Sequence, residues 1–345
     1  MKTLYCGLEL HSTESRVVSM NEDGKVLSER EVETSGSNLI EAFEALEGRL
    51  KIHLEASEMA GWARNLLLER VPAARKVTVS HPKSNAWIAN DPLKGDSVDA
   101  RKLADLMRMG RTHEVFYPED RRLGVFKKTV QHYEDLTGNQ ARLKQKIKAR
   151  LRLEGIHAEG TGVFSEDGRK LTLEAIEDQF RREAIAQLYD LLDDTLRARD
   201  RARKLMRKQS KSFPIVQHFR EVPGIGLVLA CRFVGYIQNP HRFATKSKLW
   251  RYCRLGVTER SSNGKPLGYR RLDPNGCGAL KDLSRKAFQA AISREDNNGV
   301  KRFYRSSISR TNNEEHARLN TQRKILAVMW AMWRKGERYD DSQMG

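Results

Sequence analysis

Four carboxylates are spaced so that they can act together on a phosphodiester: Glu9, Glu55, Asp96 and Asp99. Asp96 and Asp99 stand three apart at the start of a helical stretch, so they share one face. Glu9 and Glu55 each end a short apolar run of strand character, Leu4–Glu9 and Ile52–Glu55. Gathered in one place, four carboxylates repel one another strongly unless divalent cations neutralise them. The chemistry such a set supports is phosphodiester cleavage or transfer, with paired Mg²⁺ ions roughly 3.5–4 Å apart clamping the attacking and leaving oxygens. Taken singly, each acid is an ordinary solvated carboxylate. Their joint placement at strand and helix ends argues for a site.

A scaffold must bring these acids together, and the first hundred residues alternate strand and helix signals. Leu4–Glu9, Arg16–Met20 and Lys25–Glu31 read as strands, the last two joined by the hairpin turn Asn21-Glu22-Asp23-Gly24. Leu39, Phe43 and Leu46 recur at helical spacing. Ile52–Glu55 follows as a strand, then a helix around Trp62–Glu69 with Leu66 and Leu67 inward, then the β run Val77–Ser80. Beyond a Pro92-Leu93-Lys94-Gly95 loop, Ser97–Met109 reads as a helix with Ser97 as its cap. This order of elements predicts an α/β ribonuclease-H-like domain over residues 1–115. The first and fourth strands are neighbours in that sheet, which sets Glu9 beside Glu55.

Residues 116–213 change character. Leu136, Leu143, Ile147 and Leu151 form a narrow apolar seam. Around it lie Arg142, Lys144, Lys146, Lys148, Arg150 and Arg152 with no acid among them, which favours phosphate contact by Lys144, Lys148 and Arg152. A Gly-rich turn leads to a second stretch with Ile176, Phe180, Ala184, Leu188 and Leu191 on one stripe, ending in another basic block. Two long helices with narrow seams predict a helical hairpin or coiled coil. Residues 214–345 are expected to be mostly α-helical. There Val222-Pro223-Gly224-Ile225-Gly226 is similar to the turn of helix-hairpin-helix modules, in which close backbone N–H groups hold a phosphate, so Gly224 and Gly226 join the nucleic-acid contacts.

Composition agrees with such a partner. The 345 residues carry 63 Lys and Arg against 45 Asp and Glu, a net charge of +18, which attracts polyanions. No apolar run approaches the roughly 20 residues that span a bilayer, so no membrane partner is expected. Neither a signal peptide nor a disulfide or zinc framework is expected from the N-terminal run and the scattered Cys6, Cys231, Cys253 and Cys277; a cytoplasmic setting fits.

Three motifs resemble those of the RuvC-like insertion-sequence transposases with an Asp-Glu-Asp-Asp site. Gly7-Leu8-Glu9-Leu10-His11 is similar to their Gly-Ile-Asp-Leu-His, Leu54-Glu55-Ala56-Ser57 to their second acidic motif, and Asp96-Ser97-Val98-Asp99-Ala100-Arg101-Lys102-Leu103-Ala104 to their Asp-x-x-Asp-Ala-Arg-x-Leu-Ala. Val222–Gly226 and Leu255-Gly256-Val257-Thr258 match further family motifs in the same order. The chain departs from the pattern at Glu9 (Asp in the family), at Ser57-Glu58 (Thr-Gly) and at Glu259 (Pro). The resemblance implies a serine nucleophile in the C-terminal domain that forms a phosphoserine link. Counting back from Gly268 it falls on Ser262, with Ser261 as the adjacent alternative. Lys265, Arg270 and Arg271 could then hold the phosphate. It further implies target and donor DNA paired by a guide (bridge) RNA, and homodimers that assemble into tetramers. Two rival functions remain open at this point: a junction-resolving nuclease that uses water, and a nucleic-acid-binding relative without catalysis.

Overall fold

The computed structural model describes residues 2–82, 95–259, 261–262, 265–266, 268 and 270–344. The Pro92-Leu93-Lys94 part of the expected loop, and Asn263 and Gly264 beside the candidate serines, lie outside the described residues. The chain divides into two compact units, Met1–Tyr117 and Pro118–Gly345.

In the first unit, β1 (Thr3–Leu10), β2 (Glu14–Met20) and β3 (Val26–Glu33) form an antiparallel meander. The turn between β2 and β3 is fixed as expected. Asn21 Oδ1 accepts hydrogen bonds from the N–H groups of Asp23 and Lys25, and Gly24 takes a φ of 84°. After α1 (Gly36–Glu44), β4 (Arg49–Glu55) pairs parallel with β1; after α2 (Ala60–Arg70), β5 (Ala74–Ser80) pairs parallel with β4. The sheet order is β3-β2-β1-β4-β5, the ribonuclease-H-like arrangement. Period-two alternation divides β1 between the two faces of the sheet. Cys6 and Leu8, with Ile52 and Leu54 of β4, join Leu39 and Phe43 of α1 and Ala63 and Leu67 of α2 in one core. Gly7 faces the other side, where α3 (Asp96–Arg108) lies.

That second face is unusually close. A Cβ on Gly7 would stand 1.8 Å from the Ala100 carbonyl oxygen and 2.8 Å from the Ala104 nitrogen. Ala100 and Ala104 pack with Val18 and Met20 of β2. The family-like Gly in β1 and the two Ala positions in α3 are therefore one steric device, small residues that let a helix backbone rest on a strand. Ser97 does not cap this helix. The cap is Gly95, without a side-chain bond, and Ser97 sits in the first turn with its hydroxyl on the Glu29 carboxylate of β3. A competing long-range acceptor, 68 residues away, took the hydroxyl that local pattern assigned to capping.

The second unit opens with α4 (Arg121–Leu153), which spans about 50 Å at 1.5 Å per residue. A 3₁₀ turn (Gly162–Phe164) and α5 (Glu166–Glu174) follow, and α6 (Gln179–Ser210) runs back along α4. Ile147 and Leu151 of α4 are buried against Ile185, Tyr189 and Leu192 of α6. The second stripe differs from expectation. Phe180 and Leu191 are 82% and 50% exposed, and Ile176 is buried but precedes the helix. The helix begins at Gln179, so a stripe counted from Ile176 across the break is rotated off the buried face. Lower on the pair, Phe126, Val130, Met206 and Phe213 enter a larger core. That core gathers α7 (Ile215–Phe219), α8 (Leu227–Ile237), α9 (Lys246–Tyr252), α10 (Gly278–Ile292), α11 (Gly299–Thr311) and α12 (Glu314–Lys335). Ile325–Trp333 of α12 is buried nearly all round, as its composition required. The polar stretch between α9 and α10 carries four two-residue strands: β6 (Val257–Thr258), β7 (Ser261–Ser262), β8 (Lys265–Pro266) and β9 (Arg271–Leu272). Among the described residues, no helix is long and apolar enough to cross a membrane.

Candidate active site

The structure gathers the four acids of the first unit at one end of its sheet. Parallel pairing of Gly7 with His53 and Leu8 with Leu54 sets Glu9 beside Glu55. Period two puts Glu9 on the same face as Gly7, where α3 presents Asp96 and Asp99 in its first turn. Burial pushes the Glu9 carboxyl up to about 7; His11 opposes that rise, and the charges of Glu55, Asp99 and Asp96 add to it. Asp99 Oδ1 is buried with no hydrogen-bond partner. Such an oxygen is costly in a folded protein unless a cation or donor completes it. The set fits a divalent cation in charge and in donor type, since hard cations take carboxylate oxygens. Among the described residues, no three His, Cys, Asp or Glu side chains are drawn together as a finished metal cage. The acids feel one another's charge across wider gaps.

Three further residues shape the site, and none was singled out from sequence. His11 Nε2 lies 3.6 Å from Glu9 and 3.5 Å from Asp96, bridging the strand acid and the helix acid; its place in the β1 motif was the available signal. Glu29 of β3 grips α3 from the opposite side of the sheet order. It accepts hydrogen bonds from Ser97 and from Arg101, whose Nε lies 3.1 Å away. Those bonds hold the Glu29 carboxyl below its usual range, the Ser97 hydroxyl first and the Arg101 guanidinium next. Buried His53, two residues before Glu55, donates from Nδ1 to the Leu103 carbonyl of α3 at 2.8 Å. Its Nε2 accepts from Ser80 Oγ at 2.7 Å. Burial lowers its pKa, consistent with a neutral ring in this tautomer. Arg101 and Leu103 of the third motif thus serve through helix placement.

Because the folded state favours protonated Glu9, this group should make the metal-free protein more stable at mildly acid pH than above neutrality. That contribution is full below the unfolded value of 4.5 and is lost as pH rises through about 7. It amounts to at most about 3 kcal/mol, since the side chain retains 19% exposure. Urea denaturation in chelator at about pH 5 and about pH 7.5 measures the difference; equal midpoints would refute this account of the cluster.

In the second unit, β6 pairs with β9 and β7 with β8, so Ser262 stands opposite Lys265 in a short hairpin and Arg271 opposite Thr258. Arg270 is exposed and ion-paired with Glu259 at 3.1 Å. The acid standing where the family has Pro is thus matched to a cation of the same loop. Lys144 and Lys148 of α4 lie over the Phe164 ring, at 4.8 and 5.7 Å, and Arg152 is exposed. Gly224, with a φ of 83°, leaves no room for a Cβ, which would meet the Ala287 carbonyl of α10 at 2.1 Å; its lack of a side chain serves interhelical packing. Gly226 is open to its surroundings and forms the N-cap of α8 without a side-chain bond.

The fold of the first unit is that of ribonuclease-H-like enzymes, which act on nucleic-acid strands. Two family models make the class specific: a DEDD-type transposase model of IS110 matches residues 6–155, and one described as transposase IS116/IS110/IS902 family matches residues 216–305. Together they cover well over half of the chain; the first takes in most of the first unit and the start of the second, and the other lies within the second unit. The chain belongs to the IS110 family of insertion-sequence transposases, enzymes that act on DNA. No curated protein matches it.

Proposed function

We propose that this transposase cuts and rejoins DNA with Glu9, Glu55, Asp96 and Asp99 holding Mg²⁺ and with Ser262 as the nucleophile. The observation that carries the metal half is the buried, partnerless Asp99 oxygen beside Glu9, whose carboxyl is pushed up by burial first and by the neighbouring acids in addition. When bound, Mg²⁺ would neutralise the acids and polarise the scissile phosphodiester. The chain's own residues do the positioning. Glu29, His53 and Gly7 fix α3 against the sheet, and His11 keeps Glu9 and Asp96 within reach of each other. In the serine step, the Ser262 oxygen bonds to phosphorus as the 3′ oxygen of the cut strand leaves. Attack by a new 3′ hydroxyl then releases the serine, conserving the bond energy through strand exchange. Lys265 and Arg271 supply positive charge for the phosphate, with Arg270 shared with Glu259.

The family resemblance supports a guide RNA that pairs with target and donor DNA, and dimers assembling into tetramers. The basic α4–α6 pair of the second unit is the surface we assign to nucleic-acid backbone. The deciding experiment incubates the protein with Mg²⁺, element-end RNA and matching DNA, then separates products under denaturing conditions. A DNA-linked protein band is expected. Cut DNA without any adduct would replace the serine by water and make the protein a nuclease.

A smaller effect should follow from replacing Lys144, Lys148 and Arg152 together by Gln. Binding should weaken by roughly tenfold at moderate salt, and the salt dependence should flatten, because fewer counterions are released. Anisotropy titrations across a salt series test it; an unchanged slope would leave these cations as an ordinary solvated face.

A further inference from the structure

A cleft of about 980 Å³ opens in the second unit between α10 and the start of α12, and its wall includes Leu272 and Pro274, where the serine loop returns. Two of its three acids are already engaged. Asp273 is bonded to Arg251 at 2.8 Å, and Asp282 to Arg232 and Lys286 at 2.9 and 2.7 Å. The third, Glu315, is exposed, and the cations of the lining outnumber it. Lys281 is exposed with no partner among the described residues, and Arg318 meets Glu315 only at 3.9 Å. Arg254 spends one N–H on the Gly276 carbonyl. Beneath them lies an apolar floor of Leu255, Leu272, Phe288 and Leu319, the first and third buried and the others half-buried. Cations around an apolar floor suit an unpaired strand, whose bases can turn inward while its phosphates stay at the rim. A duplex keeps its bases stacked inside and has no use for such a floor.

We propose that this cleft binds a single-stranded segment of nucleic acid, with Arg254, Lys281 and Arg318 on its phosphates, beside the loop that carries Ser262. Its place on the reaction path rests on the serine reading; its binding does not. The test is Lys281→Glu with Arg318→Glu, both exposed, assayed by anisotropy with a fluorescein-labelled oligothymidylate and with a duplex of the same length. Single-strand affinity should fall at least tenfold and its salt slope by about 1.4, the value for two lost phosphate contacts, with much less change on the duplex. Unchanged single-strand binding overturns the proposal, and so does an equal loss on both probes, which would mark a general polyanion surface. Lys281→Ala with Arg318→Ala, monitored by circular dichroism, gives the same reading without charge reversal. If the parent protein never forms an adduct yet the variant loses single-strand binding, the serine is retired and the cleft stands. Normal binding by the variant together with a Ser262 adduct has the opposite meaning.

Discussion

Asp99→Asn is expected to leave DNA bound and uncut. The substitution keeps the side-chain shape and removes one charge from the cluster, so cation affinity and transition-state neutralisation both fall. A loss of several kcal/mol of charge stabilisation corresponds to about a thousandfold or more in rate. Nucleic-acid affinity should stay within a few fold, because the phosphate contacts we propose lie on Lys and Arg elsewhere. The folded protein should not suffer. Asp99 Oδ1 has no hydrogen-bond partner to lose, and its charge is among those that disfavour ionised Glu9. The metal-free denaturation midpoint near neutral pH should therefore hold or rise. Normal cutting by Asp99→Asn would end the metal proposal, and a collapsed midpoint would recast Asp99 as a structural residue.

The second large effect is at the serine loop. Ser262→Ala should abolish the covalent adduct and strand exchange, while calorimetry still detects Mg²⁺ binding to the first unit. Ser261→Ala is the matched control, one residue away on the same two-residue strand. If the adduct moves with Ser261, the mechanism stands and the nucleophile changes. Persistent cutting by the double variant, with no adduct, would favour a water nucleophile. An inert double variant with normal Mg²⁺ binding is the result the serine proposal requires.

The acid set was legible from the sequence because each member sits at the end of a regular element, and regular elements announce themselves by period. Glu9 and Glu55 needed only the knowledge that the first and fourth strands pair, which the element order supplied. What fixes those acids was much less visible. Glu29 reaches Ser97 and Arg101 across about seventy residues of chain, and His53 binds a helix carbonyl fifty residues on. No local pattern encodes such partners, so Ser97 was read as a cap. Likewise the α6 stripe was misread because Ile176 is buried by tertiary packing before the helix starts at Gln179. In the serine loop the paired dipeptide strands are too short to show an alternation.

The glycine-on-alanine contact between β1 and α3 restricts how this site can be retuned by evolution or by design. Position 7 already has the smallest side chain, and any larger one collides with the Ala100 backbone. The spacing between the strand acid and the helix acids therefore behaves as a fixed gauge, set by two backbones in contact. A lineage that needs a different reach to its cation can adjust only the length of the acids themselves. On the proposed metal site, Glu9, one methylene longer than the family's Asp, is a change of that kind. A laboratory search for altered cation preference should accordingly vary positions 9, 55, 96 and 99 and leave 7, 100 and 104 untouched.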